Sequence, residues 1–185
     1  MKTLDKKYRL PLYFLILLLS AAWIWVSAAP EGSTSAGEIP APQEGFLAPD
    51  FTLETLEGEL MTLSELRGSP VLINLWASWC GPCRAEMPAM QRIHEKYGDE
   101  FIILAVNATH QDSPNAAAAF VSELGLTFPI LLDHDGSVST QYQLRSLPTS
   151  FFVNRDGIIE EVVIGGPMSE ALLQTRIESL LEEAP

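Results

Sequence analysis

The sequence predicts an α/β fold, a mixed sheet with helices on both faces, carried after one N-terminal transmembrane helix. Three observations lead there. Val71–Trp76 and Phe101–Val106 are short, nearly continuous apolar runs, as expected of strands buried on both faces. Between and after them apolar residues recur at helical spacing. A last pair of apolar runs is joined by Asn154-Arg155-Asp156-Gly157, a hairpin turn, so part of the sheet is antiparallel.

The elements follow in order. Met1–Arg9 is a basic tail expected on the cytoplasmic side, and Leu10–Ala29 has 20 residues without a charge. A helix of that length spans roughly 30 Å, about one bilayer core. Tyr13, Trp23 and Trp25 lie toward its ends, and the basic flank is N-terminal, so the N-terminus is expected inside and the remainder outside. Val26-Ser27-Ala28 resembles a cleavage site, the competing reading being a removed signal peptide. Pro30–Gly45 holds three Pro, three Gly and three Glu in 16 residues and reads as a flexible linker. Phe46–Pro185 is then the folded domain.

Within the domain, Phe51–Leu53 and Leu60–Thr62 flank a Glu57-Gly58 turn and predict a hairpin. Ser64–Leu66 predicts one helical turn. From Cys83 the pattern turns helical, with Met87, Met90, Ile93 and Tyr97 on one face, a kink at Pro88 and an end at Gly98. Ser113-Pro114 opens a helix to Leu124 that stops at Gly125. Phe128–Leu132 is a third strand, and Ser137–Tyr142 a short helix. Ser150–Val153 and Ile158–Ile164 form the hairpin, and Ser169–Leu181 closes the chain as a helix with Leu173, Ile177 and Leu180 inward.

Composition narrows the function. The formal net charge is −13, and beyond Arg9 the chain carries 7 basic and 23 acidic residues, or −16. Nucleic acid is excluded as a partner, because phosphate binding needs clustered cations. Two cysteines exclude a disulfide-dense framework and an all-cysteine zinc site. His94, His110 and His134 are scattered and read as surface residues, so no metal is expected. Asn107-Ala108-Thr109 fits a glycosylation sequon but is discounted.

The chemistry is concentrated in Trp79-Cys80-Gly81-Pro82-Cys83. Two cysteines two residues apart, at the start of a helix, have a specific use. The helix N-terminus stabilises a thiolate at Cys80 and lowers its pKa. Cys83, one turn further in, should be more buried. The sulfurs can close a small ring without rearranging the helix. Cys80 would attack a disulfide, and Cys83 would then attack Cys80 and release the reduced product. Competing readings are half of a zinc site and a purely structural disulfide. The first lacks ligands, and the second closes too short a loop to restrict the unfolded chain much.

The segment from Val71 to Pro88, VLINLWASWCGPCRAEMP, resembles the thioredoxin superfamily, and more narrowly the TlpA/ResA-like membrane-anchored thiol-disulfide oxidoreductases of bacteria. Further marks are Ala48-Pro49-Asp50-Phe51, Ala105-Val106-Asn107 and Leu147-Pro148-Thr149-Ser150-Phe151-Phe152. The helix Ser113–Leu124 with the strand after it matches the family's central helix-strand insertion. The resemblance spans about Phe46 to Leu181 and implies a thioredoxin-like fold.

The resemblance assigns roles. Pro148 matches the family's cis-proline, which exposes the backbone of Leu147 to extended substrate and blocks metal capture by the thiols. Glu86 matches an acidic residue near the dithiol. Thioredoxin instead has a buried Asp where this chain has Asn74, which cannot exchange a proton at neutral pH, so Glu86 is the candidate proton relay to Cys83. Its alternative is a solvated glutamate near the helix N-terminus. Trp79 is expected as a partly exposed platform and Trp76 as core. Gly81 and Pro82 shape the helix start, and Thr149 borders the substrate edge. Gly81-Pro82 follows thioredoxin where many ResA-like proteins carry Glu-Pro. No cofactor is implied beyond the Cys80–Cys83 disulfide.

The implied activity is reduction of extracytoplasmic protein disulfides, apocytochrome c cysteine pairs among them, with a CcdA-like membrane electron donor. The alternatives are a disulfide-inserting oxidase, a peroxide reductase and a copper- or haem-handling module. The last is disfavoured because copper chaperones of this fold separate their cysteines by three residues.

Overall fold

The computed structural model describes residues 11, 15–20, 22–23 and 39–182. The chain divides into two compact units, Met1–Ser35 and Ala36–Pro185. In the first, the described residues are helical and exposed. The basic tail lies outside the described residues, and so does most of the expected transmembrane span and linker. Among the described residues no helix is long and apolar enough to cross a membrane.

The described part of the second unit begins with residues 39–45, which the linker reading left free. Here Ala41 N–H donates to Leu47 O at 3.0 Å and Gly45 N–H to Ile159 O at 2.8 Å. Pro40 also bridges to Leu47. Polar, proline-rich composition prevents a segment from building its own core, yet its backbone can still pair with an existing edge.

The strands are β1 (Thr52–Thr55), β2 (Leu60–Thr62), β3 (Val71–Trp76), β4 (Ile102–Asn107), β5 (Ile130–Leu132), β6 (Thr149–Val153) and β7 (Ile159–Ile164). The helices are α1 (Gly81–Tyr97), α2 (Pro114–Leu124), α3 (Ser137–Gln141) and α4 (Glu170–Glu182). One seven-stranded sheet runs in the order β2-β1-β5-β4-β3-β6-β7. The centre, β3-β4-β5, is parallel; β6 and β7 add antiparallel on one side and the β1–β2 hairpin on the other. This is a thioredoxin-like mixed α/β fold.

β3 is central and every one of its residues is buried. Alternation along a strand splits them between the two faces. Leu72 and Trp76 enter a core with Met87, Met90 and Ile93 of α1, Phe120 of α2 and Leu173 and Ile177 of α4. Trp76 and Phe120 stack with ring centroids 4.7 Å apart. Ile73 and Leu75 enter the opposite core with Phe51, Leu104, Val106, Val138 of α3 and Tyr142. Asn74 shares the parity of Leu72 and Trp76, so it faces the layer that contains α1.

α1 starts at Gly81, two residues before its apolar periodicity begins, because Cys80 is its cap. The helix runs through Pro88, which is exposed. β5 is shorter than expected: Phe128 is buried but lies ahead of the strand. His94 departs from the surface reading. It is half-buried, edge-on to Phe128 at 6.0 Å between centroids.

Candidate active site

Parallel β3 must be followed by a connection at its C-terminal edge, where α1 begins. That connection is Ala77–Cys80. Ser78 and Trp79 within it are held by the loop after β4. Ser78 donates from its N–H to Asp112 Oδ2 at 2.6 Å and from its hydroxyl to Oδ1 at 2.7 Å. Asn107 Nδ2 and Ser113 N–H also donate to this carboxylate, both at 2.9 Å. Burial acts to raise the Asp112 pKa, but these hydrogen bonds outweigh it and hold the carboxyl below the ordinary aspartate range. Trp79 is 61% exposed, and its indole N–H donates to Gln111 O at 3.0 Å. It is a fixed, exposed ring beside the cysteines.

Cys80 and Cys83 form a disulfide with an S–S distance of 2.04 Å. Cys83 is fully buried and Cys80 nearly so, at 4% exposure. Cys83 N–H donates to Cys80 Sγ at 3.2 Å. That amide is one of the unpaired donors of the first helical turn, aimed at the sulfur that would carry negative charge after reduction. Gly81 and Pro82, between the two cysteines, are exposed.

Glu86 lies one turn beyond Cys83 and is fully buried, so it is no solvated helix glutamate. Asn74 Nδ2 donates to its Oε1 at 2.8 Å, and Met168 N–H to its Oε2 at 3.1 Å. Asn74 Nδ2 also donates to Ser150 Oγ at 2.9 Å. Burial pushes the Glu86 carboxyl above the ordinary glutamate range, and the bonds from Met168 and Asn74 oppose part of that rise. The result is a carboxyl able to take and release a proton nearer neutrality.

The Leu147–Pro148 bond is cis, as is Gly166–Pro167. Pro148 is buried and Leu147 half-buried. Gly165 N–H donates to Pro148 O at 2.8 Å. Among the described residues, no hydrogen bond is made by the backbone of Leu147. Thr149 is 4% exposed, and its hydroxyl donates to Ser146 O at 2.8 Å, so it shapes the loop leading to Pro148.

The sequence named Cys80, Cys83, Glu86, Pro148, Trp79, Gly81, Pro82, Leu147 and Thr149 as candidates, and assigned Asn74 only an inability to exchange protons. It missed Asp112, Ser150, Gly166 and Met168. Asp112 left a trace, an acidic residue just before the Ser113-Pro114 helix start. The other three act by backbone or by a contact remote in sequence, for which there was no local signal.

A disulfide whose first cysteine caps a helix, a buried carboxyl one turn further along that helix and an unpaired backbone residue before a cis-proline define a class: thiol-disulfide oxidoreductases of the thioredoxin type. Residues 45–162 match the profile of the AhpC/TSA family. Thioredoxin-like protein YneN of Bacillus subtilis is 43% identical over 124 residues, 66% of this chain and 72% of that one. Thiol-disulfide oxidoreductase ResA of Geobacillus kaustophilus is 33% identical over 178 residues, covering 96% of this chain and 99% of its own. Among solved structures, StoA from Bacillus subtilis superposes with a TM-score of 0.62 at 32% identity, covering 69% of this chain and 96% of StoA. The chain belongs to the AhpC/TSA family and is, within it, a TlpA/ResA-like thiol-disulfide oxidoreductase.

Proposed function

We propose that the protein is an electron-donating reductase of protein disulfides outside the cytoplasm. The observation that carries this is Glu86, a buried carboxyl with raised proton affinity one turn from Cys83. A reductase must deprotonate its second cysteine to release the product, and a buried base supplies that step.

The cycle starts from the dithiol. The Cys80 thiolate attacks one sulfur of the substrate disulfide; the leaving thiolate takes a proton. Glu86 accepts the Cys83 proton, and the Cys83 thiolate attacks Cys80, restoring the Cys80–Cys83 disulfide and expelling the second substrate thiolate, which takes the proton from Glu86; the first leaving thiolate is protonated from solvent, to which Cys80 had released its own proton. Two electrons and two protons pass to substrate, and a membrane dithiol donor of CcdA-like type restores them. Extended substrate lies along the Leu147 backbone at cis-Pro148, with Trp79, Gly81 and Pro82 as the exposed rim and Thr149 bracing the loop.

The apolar stretch 10–29 then serves as a membrane anchor, with the domain beyond it. Its 20 uncharged residues after a basic tail support the reading. Apocytochrome c cysteine pairs are the proposed substrate. Deleting the gene should lower holocytochrome c and leave its apoprotein cysteines oxidised; normal levels of both would contradict the proposal. An oxidase of the same fold is separated from it by the reduction potential alone.

A further inference from the structure

Glu86 and Pro148 come from different elements, yet both press on one backbone segment. A Cβ built on Gly166 would lie 2.7 Å from Glu86 Oε2 and 2.8 Å from Pro148 Cγ. Real side chains do not approach so closely, so only glycine fits between the carboxyl and the proline ring. The segment around it is bonded to the same two partners. Gly165 N–H donates to Pro148 O, and Met168 N–H to Glu86 Oε2. Residues 165–168 thus touch the group that moves the proton and the residue at the substrate edge. Met168 is buried at 3% exposure, and this anchors the far end of the segment.

We infer that Gly166 is a positioning residue for the exchange reaction, holding the Glu86 carboxyl and the Pro148 ring in register through one bare backbone. A side chain here must displace the carboxyl, the ring or the segment. Each of these displacements acts on a reaction step through Glu86 or Pro148, the two residues against which Gly166 packs. The inference rests on the proton-relay reading of Glu86 for its first half and on the substrate-edge reading of Pro148 for its second.

The test is a double-substitution cycle of Gly166→Ala and Glu86→Gln on the full chain, with thermal unfolding as a check on folding. Gln keeps the shape of Glu and removes its proton. Gly166→Ala should slow the release step on the order of 10- to 100-fold and shift its pH profile, because misplacing a reacting group by about 1 Å costs rate on that scale. It should also raise the KM for a disulfide protein. In the Glu86→Gln background the rate loss and pH shift should vanish while the KM effect persists. An equal rate loss in both backgrounds would show a packing role only and overturn the inference. A wild-type pH profile in Glu86→Gln alone would remove the relay reading instead, leaving the KM effect to decide the Pro148 half. Should Gly166→Ala fail to fold, amide chemical shifts of the reduced wild type replace it. The Gly166 and Met168 amides should titrate together with a carboxyl above the ordinary glutamate range and lose that titration in Glu86→Gln; flat shifts would overturn the inference.

Discussion

Among the described residues, Glu86 has no charged neighbour in hydrogen-bond contact. Its carboxyl is served by one side-chain amide and one backbone N–H, and water is excluded. Desolvation therefore dominates and raises its pKa. The folded state holds a proton that an unfolded glutamate, with an ordinary value of 4.5, would release. That contribution to stability is fully present below 4.5 and is lost as pH rises through the folded value. Wild-type stability should thus fall relative to Glu86→Gln between acid and neutral pH, measured by urea unfolding of the oxidised protein. A pH-independent difference would contradict the buried-carboxyl account. At the cysteines the roles separate cleanly. Cys83→Ser should accumulate a mixed disulfide on Cys80 with substrate, visible by mass spectrometry, whereas Cys80→Ser should form none at that position.

At the scale of elements, the Ala77–Cys80 connection is fixed from the side by the β4–α2 loop. Asp112 collects four donors, and three of them come from Ser78 and from Ser113, the cap of α2. Asp112→Ala should destabilise the domain by about 1.5–3 kcal/mol, the range for hydrogen bonds to a charged group, with partial exposure favouring the lower end. It should also slow attack by Cys80 by loosening Trp79. Chemical denaturation and stopped-flow reduction read the two effects, and an unchanged attack rate would sink the positional argument.

These same elements show what the sequence could reveal. β3, α1, α2 and the β6–β7 hairpin were legible because periodicity, caps and a turn signal agree within each segment. Cys80 and Cys83 were legible because their spacing has a chemical meaning of its own. Pro148 and Glu86 needed the family resemblance, since neither cis geometry nor burial is written in the residues around them. The Asp112 cluster left only the trace of an acidic residue before the start of α2, and the Gly166 contact left none. Each joins parts of the chain that only the sheet order β4-β3-β6-β7 brings together. His94 was misread because one face of α1 is covered by the segment that carries Phe128, a contact with no local pattern.

For the molecule as a whole, the balance beyond Arg9 is −16. Arg84, Arg92, Lys96 and Arg176 are engaged with Glu123, Glu170, Glu178 and Glu161, so these four cations are already compensated within the chain. A long-range negative field remains, and it steers encounter. Exchange with a basic disulfide protein should slow as salt rises, while exchange with an acidic one should quicken; equal salt slopes would contradict electrostatic steering. The direction of electron flow is also a property of the whole fold, because it reflects the stability of dithiol against disulfide in this environment. The most direct test is the reduction potential of the Cys80–Cys83 pair, equilibrated against glutathione or dithiothreitol buffers. A reductase should give a value near or below about −230 mV, toward thioredoxin, and a value near about −120 mV would make the protein an oxidant and contradict its role as a reductase.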